Sequence, residues 1–420
     1  MLRKIRIAAA AFFFVLTTLL FLDFTGTLHA WFGWMAKIQF LPALLALNVG
    51  VVAFLVILTL LFGRVYCSVI CPLGVMQDIV SWASGKRRKH RNRFAYSPAL
   101  TWLRRGMLVV FVAAMLAGVG SLLAPYSAYG RIASNLLAPV YAWGNNLLAY
   151  IAGRMDSYAF YSVDVWMKSL STLLVAVVTF AVLFVLAWRS GRTYCNTICP
   201  VGTVLGFLAR YSLFKPRFDT SKCNGCKLCA RNCKASCIDP AAHKIDYSRC
   251  VACMDCLENC RQGAITYTLR RRKPDPAPAP QRPAADAAKT PSDASRRRFL
   301  GLAGIVAYSA LRAQEKKVDG GLAVIVDKKI PNRATPVVPP GAQSLRHFNA
   351  HCTGCQLCVS VCPNQVLRPS GKLMTLMQPE MSFERGYCRP ECTKCAEVCP
   401  TGAIRLTDLA GKSSIQIGHA

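Results

Sequence analysis

The first half of the chain is dominated by long apolar segments, which occupy residues 5–22, 39–63, 107–124 and 169–188. A bilayer is crossed by a helix of ~20 apolar residues, so the pattern predicts about four membrane spans. A further stretch, 132–152, is only mildly apolar and contains Pro139. We expect that stretch to be interfacial or a helical hairpin rather than a clear span.

The second and fourth spans are each followed by one motif, Gly-Arg-x-Tyr-Cys-x3-Cys-Pro-x-Gly, at residues 63–74 and 191–202. This duplication predicts two repeated helix pairs. Cysteines at i and i+4 share one helix face, so the two motifs could present four thiols together: Cys67, Cys71, Cys195 and Cys199. These thiols are a candidate for a further redox or metal site. Its candidate occupants are an additional iron–sulfur centre and a quinone. The alternative is that each cysteine is a small buried hydrophobe.

The charge distribution predicts the orientation. The formal net charge is +31, while 53% of residues are hydrophobic. Lys and Arg crowd the N-terminus, residues 86–105 and residues 189–217, whereas 23–38 and 125–168 carry few. By the positive-inside rule, the N-terminus and both Cys-x3-Cys-Pro motifs face the cytoplasm of a multi-pass inner-membrane protein, in contact with membrane lipid. No basic-aromatic module indicates nucleic acid as a partner.

Four cysteine runs dominate the second half of the chain. They begin at Cys223, Cys250, Cys352 and Cys388; the first three have the spacing Cys-x2-Cys-x2-Cys-x3-Cys, and the fourth has one more residue in its first gap. This is the spacing of bacterial ferredoxins, in which three thiolates bind one [4Fe-4S] cluster and the fourth binds the other cluster of a pair. Zinc sites and disulfides also use cysteine pairs, but neither favours this triple spacing.

The runs therefore predict four [4Fe-4S] clusters in two modules. The predicted ligands are Cys223, Cys226, Cys229 and Cys260 for cluster one; Cys250, Cys253, Cys256 and Cys233 for cluster two; Cys352, Cys355, Cys358 and Cys399 for cluster three; and Cys388, Cys392, Cys395 and Cys362 for cluster four. Cys237 is an alternative to Cys233. The clear spans contain no His, and neither Cys-x2-Cys-His nor a Gly-rich dinucleotide loop occurs, so haem and NAD are not indicated.

The predicted fold class is an α-helical membrane domain of about four spans, in two repeated helix pairs, plus two α+β ferredoxin domains with two [4Fe-4S] clusters each. The predicted divisions are a membrane domain at 1–216, a first ferredoxin domain at 217–269, a Pro/Ala-rich linker at 270–294, a signal-like segment at 295–313 and a second ferredoxin domain at 314–420.

The segment 295–313 begins with Ser-Arg-Arg-Arg-Phe-Leu and continues into a short apolar stretch. A twin-arginine export signal has this pattern, and that route carries folded cargo, as a loaded ferredoxin requires. We therefore expect the second ferredoxin domain to be periplasmic, whereas the positive-inside rule predicts a cytoplasmic first ferredoxin domain. The alternative is a basic linker helix that never crosses.

The two motifs and the first two cysteine runs, over about residues 1–268, resemble the membrane polyferredoxins of the NapH, NosR and CcoG type. Residues 295–405 are similar to the exported NapG/MauM type of ferredoxin, so the chain resembles a fusion of the two. This resemblance implies electron transfer from the quinol pool to a partner reductase. The chain lacks the large N-terminal domain of the NosR pattern, so no flavin site is carried over and FMN is not indicated.

Three functions remain open from the sequence. The first is a membrane-bound electron carrier, a quinol dehydrogenase-like component rather than a stand-alone enzyme, which takes electrons from quinol or a cytoplasmic donor. Its acceptor would be a partner reductase or a soluble ferredoxin or flavodoxin. The second is a CcoG-like assembly factor in which the Cys-x3-Cys-Pro thiols are active. The third is a regulatory membrane redox protein.

Overall fold

The structure is a computed structural model that describes residues 2–23, 25–87, 94–117, 123–157, 159–165, 168–269, 335–372, 375–384 and 386–414. The predicted linker at 270–294 and the twin-arginine-like segment at 295–313 lie outside the described residues. Residues 1–271 and 332–420 belong to one compact unit.

Up to Ala209, the regular secondary structure of the described residues is helical. Its helices are α1 (Leu2–Leu22), α2 (Thr27–Phe32), α3 (Trp34–Lys37), α4 (Phe40–Leu45), α5 (Val49–Phe62), α6 (Val65–Val69), α7 (Pro72–Gly85), α8 (Thr101–Leu116), α9 (Pro125–Ile132), α10 (Ala138–Arg154), α11 (Leu170–Ser190), α12 (Thr193–Thr197) and α13 (Pro200–Ala209). A π-helical turn, Ala133–Leu137, joins α9 to α10.

Among the described residues, two helices, α1 and α11, are long and apolar enough to cross a bilayer. Each has 21 residues, a length of about 30 Å, which matches the hydrocarbon core of a membrane. Only 22% of either apolar window is buried, and side chains such as Phe12 and Val178 are more than half exposed. The core helix of a soluble protein would be mostly buried, so this exposure favours a lipid-facing position.

The structure divides the predicted second span, 39–63, into two helices. Helix α4 ends at Leu45, and Leu47 has a left-handed φ of 52° that an α-helix cannot continue through. Asn48 then caps α5 by accepting a hydrogen bond from the Val51 amide at 3.2 Å. Helix α5 alone has 14 residues, about 21 Å, which is shorter than a bilayer core, so the count of four spans stays a prediction.

Residues 132–152 lie within one helical stretch that runs from Pro125 to Arg154 through α9, the π-turn and α10. The hairpin interpretation of this stretch is therefore wrong. The π-turn immediately precedes α10, which has Pro139 in its first turn. Proline lacks an N–H donor and is tolerated in that position, so the helix continues past it.

The cysteine runs form two small α+β modules. The first contains β1 (Phe214–Phe218), α14 (Leu228–Arg231), β2 (Ile238–Asp239), β3 (Lys244–Ile245), α15 (Asp255–Asn259) and β4 (Ile265–Leu269). The second contains α16 (Leu345–His351), α17 (Leu357–Ser360), β5 (Leu367–Pro369), β6 (Pro379–Met381), α18 (Lys394–Glu397) and α19 (Leu409–Ser414). The strands pair antiparallel as β1–β4, β2–β3 and β5–β6.

The two modules contact opposite ends of α1. At its start, Arg3 Nε lies 2.8 Å from Asp255 Oδ1 of the first module. Just beyond its end, the carbonyl of Thr25 accepts a hydrogen bond from Lys394 Nζ of the second module at 3.3 Å. The modules are therefore separated along the helix by about 30 Å.

Helix α11 connects the same two modules in the opposite direction. Before its start, Lys168 lies near Cys358 and Cys362 of the second module. After its end, the Arg192 amide donates to the Lys234 carbonyl of the first module at 2.9 Å. Both long apolar helices thus begin at one module and end at the other.

Candidate metal centres

The first module contains a cavity lined by the four cysteines predicted for cluster one: Cys223, Cys226, Cys229 and Cys260. Three of them belong to one run, and the fourth arrives from the end of the next run. Apolar side chains, including Phe218 and Ile265, complete the wall. The cavity is therefore an apolar pocket with four sulfur donors, as an iron–sulfur cluster requires.

Three of the four runs share one backbone conformation. The residue before the second cysteine and the residue after it both have positive φ: Gly225 and Lys227, Ala252 and Met254, Gly354 and Gln356. Positive φ in a residue other than glycine costs roughly 1–2 kcal/mol. Its repetition at equivalent positions indicates a required loop shape, of the kind that turns successive N–H groups towards an anion. The fourth run, with its longer gap, has no positive φ from Cys388 to Cys399.

The cysteines predicted for cluster two lie together with Cys237. The Sγ atoms of Cys233 and Cys237 are 3.5 Å apart, and Cys237 also lies within hydrogen-bonding range of Cys250. Cys253 and Cys256, however, interact electrostatically with Cys233. Cys233 and Cys237 therefore both lie at the site of cluster two, and Cys233 interacts with more of the other cysteines than Cys237 does.

The second module repeats the arrangement. One cavity is lined by the set predicted for cluster three: Cys352, Cys355, Cys358 and Cys399. The set predicted for cluster four also converges, since Cys395 interacts electrostatically with the other three members: Cys388, Cys392 and Cys362. All four members of this second group are partly exposed, whereas Cys355 and Cys358 of the first group are buried, so the second group lies nearer the surface.

The four cysteines of the duplicated motif lie in one apolar core and are 5–6% exposed. Burial, followed by the nearby Cys67 and Cys195, raises the pKa of Cys71 to about 12. Burial likewise raises the pKa of Cys199, which interacts with all three other thiols. We call these four residues (Cys67, Cys71, Cys195 and Cys199) the four-thiol site. Burial penalises the thiolate form of Cys71, Cys195 and Cys199 and so raises the pKa of each of these thiols.

The arginine of each motif forms hydrogen bonds with residues of the other motif. Arg64 Nη2 donates to the Cys195 carbonyl at 3.1 Å and its Nη1 to Asn196 Oδ1 at 2.9 Å. Arg192 Nη1 donates to the Cys67 carbonyl at 2.5 Å. Both arginines are fully buried. The arginine of each repeat therefore holds the first cysteine of the other repeat, which gives the four-thiol site a pseudo-twofold frame.

This exchange explains the last glycine of the motif. A Cβ at Gly74 would overlap the carbonyl oxygen of Cys67 and lie 2.9 Å from Arg192 Nη1. Gly202 repeats both contacts in the other half. The arginine can cross the following helix only where no side chain stands in its way.

Asp78 lies beneath this frame and has no counterpart in the other repeat. It accepts from Arg192 at 2.7 and 2.9 Å and from Arg6 at 3.0 Å, and Lys234 Nζ lies 3.7 Å away. Burial alone would raise the pKa of Asp78, but Arg192, Lys234 and Arg6 outweigh it and hold that pKa below its usual range. This carboxylate joins α1, the second repeat and the first module.

Sequence reasoning missed the residues that join the second module to the helices. Gly130 lies directly against the Cys355 carbonyl, and Asn135 Nδ2 donates to Gln356 Oε1 at 2.9 Å. Arg131, between them, is fully buried. An arginine flanked by apolar helix is itself a signal of function, and it could have identified this contact.

Within the described part of the chain, no group of three or more His, Cys, Asp or Glu side chains is spaced to hold a single metal ion. The thiolates of a cluster bind different irons, so they need not converge on one point. The cysteine sets above are candidates for clusters rather than for mononuclear sites.

Two iron–sulfur family models match parts of the chain, and neither match includes the first and second cysteine runs. A family model described as "4Fe-4S binding domain" matches residues 44–90 and 172–221. Another, described as "4Fe-4S dicluster domain", matches residues 351–413. The first covers the two Cys-x3-Cys-Pro motifs, and the second covers the third and fourth cysteine runs.

Several curated relatives are ferredoxin-type proteins. NapH of Escherichia coli (strain K12) is 29% identical over 195 residues, 46% of this chain and 55% of NapH. MauN of Paracoccus denitrificans (strain Pd 1222), a methylamine utilization ferredoxin-type protein, is 28% identical over 172 residues, 41% of this chain and 48% of MauN. MauM of Methylophilus methylotrophus is 32% identical over 110 residues, 23% of this chain and 46% of MauM.

The chain spans about half the length of these three relatives. No solved structure matches it. The comparisons confirm the resemblance to NapH-like and MauM-like ferredoxin-type proteins. Together with the two exposed apolar helices, they indicate a membrane protein with 4Fe-4S domains.

Proposed function

We propose that this chain, which carries 4Fe-4S binding domains and is similar to ferredoxin-type electron-transport proteins, passes electrons across a membrane between its two ferredoxin modules. Quinol or a cytoplasmic donor delivers electrons to the first module. The second module delivers them to a partner reductase on the other side. Membrane lipid surrounds α1 and α11.

One observation carries this proposal: the two modules contact opposite ends of the same apolar helices. Arg3 of α1 pairs with Asp255 at one end, and Lys394 bonds to Thr25 at the other. Since each helix is about as long as a bilayer is thick, lipid around the helices would leave the modules on opposite sides. A pair of modules on one side would have no such relation to α1 and α11.

The cysteine sets fit [4Fe-4S] clusters by donor type, by the apolar walls of the two cavities and by the repeated loop shape. When bound, the clusters supply one-electron storage and transfer. The sixteen cysteines of the four runs would hold them, in the four sets given above. In the three runs that share the loop shape, the neighbouring N–H groups would stabilise the negative charge of the sulfurs.

Cys233, rather than Cys237, is expected to be the fourth ligand of cluster two. Cys233→Ser should lower the iron content by about four atoms per chain, one cubane, and remove one cluster signal from the electron paramagnetic resonance (EPR) spectrum. Cys237→Ser, the matched control 3.5 Å away, should retain both. The opposite result, with iron lost only in Cys237→Ser, would exchange the two assignments.

The assembly-factor function requires thiols that a partner can reach. The four-thiol site is 5–6% exposed, and thiol exchange depends on access and on a lowered pKa. Burial instead raises the pKa of Cys71 and Cys199. These features weigh against thiol exchange and favour the electron carrier.

The side on which the second module lies tests the proposal. With an epitope tag after Ala420, protease added to intact spheroplasts is expected to remove the tag and cut residues 345–405. Replacement of the arginine pair, Arg296→Lys with Arg297→Lys, should protect the tag and residues 345–405 from the protease, because the twin-arginine route requires that pair.

The matched control is Arg271→Lys with Arg272→Lys, which keeps the charge and lies outside the signal-like segment. It should leave the tag accessible. A wild-type tag that resists protease until the membrane is broken would refute the transmembrane path and leave a four-cluster relay on the cytoplasmic side.

A further inference from the structure

The proposed function leaves a gap in the middle of the protein. The two modules are separated by the length of α1, about 30 Å, and electron transfer between redox centres falls steeply with distance. A path between the modules therefore needs a redox group inside the helical region. The four-thiol site is the cluster of soft metal-binding side chains there in the described part of the chain.

On the side of the first module, one side chain joins the four-thiol site to cluster two. Arg64 Nη1 donates to the Ser248 carbonyl at 3.1 Å, two residues before Cys250. Its Nη2 lies 3.8 Å from Cys67 Sγ and 3.1 Å from the Cys195 carbonyl. A single buried guanidinium therefore contacts the backbone that carries a cluster-two ligand and two residues of the four-thiol site.

On the side of the second module, Arg131 interacts electrostatically with groups of both sites. Its guanidinium is fully buried and interacts electrostatically with Tyr194 and with Cys355. Tyr194 is the chain neighbour of Cys195, and it interacts with Cys199 as well. Cys355 belongs to the predicted ligand set of cluster three. Its chain neighbour Gly130 lies against the Cys355 carbonyl, so Arg131 links the surroundings of the four-thiol site to this cysteine set.

We propose that the four-thiol site holds a further [4Fe-4S] centre, which is the intermediate station for electrons that move between the modules. The inference rests on the transmembrane function proposed above. Four thiols from two helix turns supply the ligands. The buried guanidinium groups of Arg64 and Arg192 offset the negative charge of the thiolates, and Arg64 and Arg131 are positioning residues towards the two modules.

Each transfer in this path moves one electron. The cluster on the donor side is oxidised as the intermediate station is reduced, and the station is oxidised again as the next cluster is reduced. No bond or proton of the protein changes. The apolar core around the site keeps water away from it, and its fixed frame requires little reorganisation.

Iron content of the anaerobically purified full chain is the first test. Five centres should give about twenty irons and four centres about sixteen, so a wild-type value near sixteen would overturn the proposal. Cys67→Ser with Cys195→Ser should remove about a fifth of the iron and leave the ferredoxin EPR signals, which report that the variant is folded. Ser68→Ala, a buried neighbour without a thiol, should lose no iron.

The role of the centre is tested separately through Arg131. Arg131→Met should slow reduction of the second module by a reduced first module about tenfold, equivalent to about 1.4 kcal/mol, with full iron content. Arg131→Lys should restore part of the rate. An unchanged rate in Arg131→Met would exclude Arg131 from the path. A C-terminal tag that is protected from protease, together with about twenty irons per chain, would refute the transmembrane function but leave the fifth iron–sulfur centre supported.

Discussion

Asp78→Asn is expected to destabilise the protein by about 3–5 kcal/mol, because it leaves buried cations without their counter-charge. Arg192, which is fully buried, makes two hydrogen bonds of 2.7 and 2.9 Å to this carboxylate. Arg6 and Lys234 share it at 3.0 and 3.7 Å. An asparagine can keep some of the hydrogen bonds but none of the charge.

The lower stability of Asp78→Asn should appear as a lower unfolding temperature of the detergent-purified chain. The absorbance of the clusters should also disappear at a lower temperature on heating. Asp219→Asn is the matched control, since Asp219 pairs with Lys222 at 3.5 Å on the surface and exposed pairs contribute little. That variant should unfold like the wild type. Equal unfolding temperatures for the two variants would show that Asp78 does not anchor the frame.

Gly130→Ala is expected to displace the second module from the helices. The new Cβ would overlap the Cys355 carbonyl oxygen and lie 2.9 Å from the ring of Phe21. Backbone oxygen and a buried ring cannot move aside cheaply, so the strain should be at least the ~1–3 kcal/mol typical of overpacked cores. The module can relieve it only by moving away from α9.

Limited proteolysis of residues 345–405 in the purified chain measures the displacement, and cleavage should be faster in Gly130→Ala. Gly144→Ala and Gly153→Ala are matched controls on α10, where a Cβ would meet nothing within 4 Å. These two changes should alter stability by at most about 1 kcal/mol, through helix propensity alone. Cleavage at the wild-type rate in Gly130→Ala would show that the module is not seated on α9.

The cysteine sets were largely predictable because their determinants are local. A run such as Cys223–Cys233 folds as one loop followed by a one-turn helix, so its spacing alone determines which thiols face the same cavity. The structure lines two cavities with the predicted sets, although the binding of iron there stays a prediction. Spacing favoured Cys233 and left Cys237 open as the alternative, because the interactions of Cys233 with Cys253 and Cys256 are visible only in the tertiary structure.

The duplicated motif was recognised from the sequence, but the function of its arginines was not. Arg64 and Cys195 are 131 residues apart, and Arg192 and Cys67 are 125 apart. Nothing in either motif indicates that the arginine crosses to the other copy. The break at Leu47 and the unbroken helix through Pro139 also depended on contacts and caps that hydrophobic periodicity does not report.

By itself, the sequence determined the presence of apolar helices, the duplicated thiol motif and the iron–sulfur character of the cysteine runs, since each depends on residue type and short spacing. The tertiary structure alone decided that the arginines exchange between repeats, that Asp78 joins three parts of the chain, and that the second module is seated against Gly130 at the far end of α1. Those relations depend on steric fit and charge pairing between residues distant in the chain, and no local pattern encodes them.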